Sequence, residues 1–155
     1  MVKKHALLVV LFLLAACAAK SIAPDTPAQV DPREQHARSV AAEAEPISGT
    51  ILAGLAAGDY AAYSRDFDEN LRGVITAEKF VALKEQFAKT IGVYEAGKFQ
   101  VNKIETYPDC YKIYYFVKFS SVQAADPVIM TVKVVKTQSG LKVSDLTYSH
   151  ALLGM

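Results

Sequence analysis

Cysteine is nearly absent. Cys17 and Cys110 are the only two in 155 residues, too few for a disulfide scaffold or a paired CxxC zinc or redox centre. Histidine is almost as scarce. His5, His36 and His150 are far apart, and no HExxH motif or Cys/His/carboxylate cluster has metal-ligand spacing. There is no glycine-rich phosphate loop and no nucleophile elbow. No cofactor is therefore expected. Neither sign of charge dominates, with 17 Lys+Arg against 16 Asp+Glu. That balance gives no global attraction for nucleic acid, which is not an expected partner. The unbroken apolar run Ala6–Ala16 falls well short of the roughly 20 residues a spanning helix needs. Internal repeats are lacking as well.

What is present begins at the N-terminus. Lys3 and Lys4 precede the apolar run, and small residues close it. Positive start, short apolar run and small residues make the pattern of an export signal. Leu14-Ala15-Ala16-Cys17 resembles the lipobox of bacterial lipoproteins. The resemblance implies that residues 1–16 are a signal peptide cut before Cys17, and that Cys17 carries lipid and holds the chain on a bilayer. Residues 17–32 then read as the lipidated N-terminus and a tether, since Pro24, Pro27 and Pro32 interrupt it and keep it extended. Cleavage removes Lys3 and Lys4, so the formal charge passes from +1 to −1. Ala18 follows the cysteine, which by resemblance to enterobacterial lipoproteins implies the periplasmic face of the outer membrane. Cys110 is left without an intramolecular partner. It reads as a buried, inert thiol, with an intermolecular disulfide or a reactive thiol as alternatives.

Residues 33–155 read as one α+β domain with its core at 46–150. Arg33–Glu45 is helix-forming but poor in apolar bulk, and Pro46 suits the first turn of a new helix. Ile47, Ile51, Leu52 and Leu55 follow at helical spacing. Gly58 ends that helix, and Asp59 caps a short one from Tyr60 to about Arg65. Asp66–Gly73 reads as a helical turn or structured loop. Thr76 caps an amphipathic helix with Phe80, Leu83, Phe87 and Ile91 on one stripe. The period then changes to two. Strands are expected at 96–106, 111–119, 128–136 and 141–148, with turns at Tyr107–Cys110 and Gln138–Gly140. In the last strand the inward set begins as Leu141 and Val143 but ends as Leu146 and Tyr148, so a bulge is expected near Asp145. Helices followed by a run of strands argue for helices covering one face of an antiparallel sheet.

This order, with ILAGLAAGDYAAYSRDFDENLRGVITAEKFVALKEQFAKTIGVYEAGKF as its most telling stretch, resembles the nuclear-transport-factor-2-like (cystatin-like) superfamily. It is similar to the small exported or lipid-anchored members. The resemblance implies a curved four-stranded antiparallel sheet wrapped as a cone around a pocket. Both binding modules and enzymes use that pocket, so the fold does not choose between them.

The expected function is a non-enzymatic, membrane-anchored envelope lipoprotein that binds a small apolar ligand or a protein partner. The alternative, implied by the resemblance to isomerases of that superfamily, is an enzyme with Asp145, on the parity of Leu141 and Val143, as general base and Tyr115 as hydrogen-bond donor, a pairing in which burial would raise the carboxyl pKa. A bulge at Asp145 would instead turn it to solvent. Asp66, Asp68 and Glu69 read as a loop and helix cap rather than a cation site. Charge is segregated. Residues 96–144 carry Lys98, Lys103, Lys112, Lys118, Lys133, Lys136 and Lys142 against Glu105, Asp109 and Asp126. Tyr114, Phe116, Ile129 and Val135 fall on the same outer face, which suits an anionic surface or a homodimer.

Overall fold

Asp31 opens the fold by accepting a hydrogen bond from the Arg33 N–H at 2.9 Å, and Pro32 occupies the first turn, where its missing N–H costs nothing. The computed structural model describes residues 31–154. The expected signal peptide, the lipidation site Cys17 and all of the tether before Asp31 lie outside the described residues.

Helix α1 runs Pro32–Ala57 without a break, so the expected boundary at Pro46 is not found. Proline removes a donor and leaves the carbonyl four residues earlier without its partner. Here both Pro46 and Ala42 face solvent, so water satisfies what the helix cannot. The opposite side, with Val40, Ala44, Ile51, Leu52 and Leu55, is buried. Gly58 terminates the helix at φ 74°, donating to the Gly54 and Leu55 carbonyls. Short helices α2 (Tyr60–Ser64) and α3 (Glu69–Val74) follow, capped by Asp59 and Asp68. Asp66 pairs with Arg65 at 3.0 Å, so the acidic cluster is a loop and a cap. Helix α4 (Ala77–Thr90) is capped by Thr76 and buries Phe80 and Phe87.

Four strands complete the domain: β1 (Tyr94–Thr106), β2 (Tyr111–Phe119), β3 (Val128–Thr137) and β4 (Gly140–Ser149). All pairings are antiparallel, in the order β1-β2-β3-β4. The period-two reading of the two central strands holds. Ile113, Tyr115, Val117 and Phe119 are buried, as are Val128, Met130, Val132 and Val134. The bulge in β4 is present too. Val134 pairs with Val143 and Lys133 with Asp145, so Ser144 is the extra residue.

The expected cone is not. The sheet is an open meander whose terminal strands, β1 and β4, do not pair with each other, and it does not curl shut around a hollow. The reason is packing. The inner face carries large side chains, including Tyr115, Met130 and Tyr148, and these meet the helical layer in one continuous core with Tyr63, Phe67, Phe80 and Phe87. Nothing in that layer requires closure, and β4 instead gains one parallel bridge, Phe67 to Val143, along its free edge.

Candidate functional site

Three tyrosine hydroxyls lie buried without a hydrogen-bond partner: Tyr63 on α2, Tyr115 on β2 and Tyr148 on β4. The Ser48 hydroxyl on α1 is in the same condition. Most buried polar atoms are paired, and each that is not costs about 1–3 kcal/mol. The Tyr63 and Tyr148 hydroxyls nevertheless lie within hydrogen-bonding reach of each other, as do those of Ser48 and Tyr115, although neither pair is well aligned. Burial disfavours the phenolate at all three. It pushes Tyr115 up to about 12 and raises Tyr63 and Tyr148 well above the ordinary tyrosine range. These phenols are therefore neutral donors at physiological pH, not bases.

Tyr63 and Tyr148 line a cleft of about 410 Å³ between α4 and the free edge of β4. Its walls are Ile75, Leu83 and Leu146, with Thr147 and Ser149 on the strand side. Lys79 stands at its mouth and donates to the Val74 carbonyl at 2.8 Å. Aromatic packing fixes the two tyrosines. Tyr63 lies 4.7 Å from Phe80 and 5.4 Å from Phe67, and Tyr148 meets Phe87 edge-on at 5.0 Å. The cleft combines an apolar wall with a few polar groups, the usual make-up of a small-molecule site.

The residues expected from sequence fall elsewhere. Tyr115 is fully buried on the inner face, in register with Met130 and Tyr148. Asp145 is exposed on the outer face opposite Lys133, so the sheet itself separates the two. Cys110 is a free thiol, half-buried at the β1–β2 turn. His150, set aside in the sequence, has a structural task. Its Nδ1 accepts from the Leu152 N–H at 3.1 Å, which leaves Nε2 to donate to the Asp126 carbonyl at 3.1 Å. Tyr63 could not be singled out in sequence, because a tyrosine on a short helix looks like any amphipathic contact. Tyr148 did carry a signal, since it sits on the inward parity of β4.

Among the described residues, no group of three His, Cys, Asp or Glu side chains could hold a metal ion. No helix of the described residues is long and apolar enough to cross a membrane.

Fold and cleft together define a class, an α+β module with a helical layer on one face of an open four-stranded meander. No family model matches the chain, and no curated protein does. Solved structures similar to it include the following two. One is a domain of unknown function with a cystatin-like fold from Nostoc punctiforme, 12% identical, with a TM-score of 0.46 over 72% of this chain and 76% of that one. The other, from Campylobacter jejuni, bears the provisional name NTF2-like transpeptidase. It is 18% identical, with a TM-score of 0.49 over 65% of this chain and 96% of that one. Each likeness is one of backbone arrangement and assigns no residue here.

Proposed function

We propose that the chain is a lipid-anchored envelope protein whose α4–β4 cleft binds a small, mostly apolar ligand bearing a hydrogen-bond acceptor. One observation carries the binding half of this reading. Two neutral phenols beside an apolar cleft have only each other as partners, and a bond between them uses one O–H of the two. An acceptor on the ligand would satisfy the O–H that the pair leaves over, and Ile75, Leu83 and Leu146 would cover its apolar body. The anchoring half rests on the Leu14–Cys17 segment.

Mass spectrometry of the full chain extracted in detergent tests the first half. A co-purifying small molecule that is retained by the parent chain and lost from Tyr148→Phe supports it. A ligand equally abundant in both, or none at all after extraction, counts against it. For the second half, Cys17→Ser should accumulate as an uncleaved precursor without acyl chains. A normally processed, acylated Cys17→Ser product would end that reading.

A second reading, an isomerase-like enzyme, draws on the same phenols. Neutral donors held in a dry site suit a developing oxyanion. Such chemistry also needs a base, and Asp145 lies on the far face of the sheet. Turnover of the recovered ligand that falls with Asp145→Asn would favour it, and unchanged turnover would remove Asp145 from the mechanism.

A further inference from the structure

Lys112 on β2 and Lys133 on β3 are direct cross-strand partners on the outer face of the sheet. Like charges placed opposite one another destabilise a sheet. Lys142 on β4 pairs in register with Val135, the next outward residue of β3 after Lys133, and so extends the cluster to a third strand. Among the described residues none of the three forms an ion pair. Two acids stand in line with them. Glu105 is opposite Lys112 but is already held by Lys103 at 2.6 Å and by the Tyr107 and Tyr114 hydroxyls at 2.9 and 2.7 Å. Asp145 is opposite Lys133 and is exposed. The face therefore keeps an excess of positive charge that the fold does not neutralise.

On the same face Tyr114, Phe116 and Ile129 are half-buried and contiguous, with Phe116 and Ile129 direct partners. We propose that this face docks on an anionic lipid surface, with the ammonium groups at headgroup level and the apolar strip against the boundary beneath. Charge complementarity selects that occupant. Lysine stems lie along apolar surface while their heads stay in polar surroundings, and tyrosine favours the membrane–water interface. Arginine, the usual reader of nucleic acid, is absent from the sheet, because all four arginines lie at or before Arg72. A second copy of the chain would set these lysines against their own kind across a two-fold axis.

The test is partition of the full chain between buffer and vesicles, using phosphatidylcholine alone and phosphatidylcholine mixed with phosphatidylglycerol. The N-terminal segment, with its Lys3 and Lys4, is the same in parent and variant, so the readout is the ratio of the two affinities compared between them. Each lysine near an anionic surface contributes roughly fivefold, so Lys112→Gln/Lys133→Gln/Lys142→Gln should lower the ratio by roughly a hundredfold. High salt should lower it in the parent chain too, a result independent of any variant's folding. Equal partition into the two vesicles would overturn the proposal. So would an undiminished ratio in the variant, tighter binding to an oligonucleotide or to polyglutamate, or dimers in sedimentation that the triple substitution dissociates.

Discussion

The Tyr63 and Tyr148 hydroxyls, brought from α2 and β4, sit buried within reach of each other, and neither has any other hydrogen-bond partner. They belong to segments 85 residues apart in sequence, and both are held by aromatic contacts from helical residues, Phe80 and Phe87.

Tyr148→Phe removes a hydroxyl whose only polar neighbour is the poorly aligned Tyr63 hydroxyl, and keeps the ring. The variant should be as stable as the parent or more stable by about 1 kcal/mol, measured by urea denaturation. A loss of 1 kcal/mol or more would mean that the hydroxyl is paired in solution, and the cleft would lose its orphan donor.

Gly54→Ala tests the crossing of α1 and α2. In an open helix, alanine stabilises by about 0.5–1 kcal/mol over glycine. Here the added Cβ would stand 2.5 Å from the Tyr63 nitrogen and 2.9 Å from its Cα, both backbone atoms that cannot swing aside. The sign should reverse, to a loss of about 1–3 kcal/mol. Because Tyr63 carries one wall of the cleft, ligand retention should fall as well. A rise in Tm would refute the close approach.

Pro46→Ala restores a donor inside α1. Pro46 faces solvent and the Thr50 hydroxyl already caps its carbonyl at 2.9 Å, so nothing obstructs the change. We expect a gain of about 2 kcal/mol, offset in part by the extra freedom of the unfolded chain. A lower Tm would show that the core depends on a bend at the proline.

Glu105 sets a pH window. Lys103 first, then Tyr114 and Tyr107, hold its carboxyl at about 2, below the ordinary 4.5. A lowered folded value means that the contribution is full above about 4.5 and is lost as pH falls toward 2. Carboxyl NMR should place the Glu105 midpoint near 2. Glu105→Gln should flatten the acid limb of stability in that window while leaving the limb above it unchanged.

His150→Ala removes the acceptor for the Leu152 N–H and the donor to Asp126 together. The C-terminal turn at Ala151–Leu153 and the loop around Asp126 should loosen in concert. Hydrogen exchange should rise in both segments and stay low in β2 and β3. Exchange raised in only one of them would show that the histidine does not couple them.

Much of the fold was legible because it is written locally. Asp59, Asp68 and Thr76 cap helices through bonds spanning three residues, and β2 and β3 alternate strictly because both faces of central strands are fixed by neighbours. Edge strand β1 was harder to read. Its register shifts between Tyr94 and Phe99 and again between Val101 and Lys103, and Val101 remains exposed where alternation predicts burial. With a partner on one side only, an edge strand tolerates such irregularity.

The sequence by itself determined the order of elements, the caps, the inward faces of the central strands and the bulge beside Asp145. All of these follow from hydrogen bonds and periodicities within a few residues of chain. Tertiary structure decided the rest. The sheet stays open rather than closing as a cone, Pro46 sits within one long helix, Asp145 faces away from Tyr115, and Tyr63 meets Tyr148 at a cleft. Each depends on which distant surfaces pack together and on how much volume their side chains fill, and no local pattern encodes that.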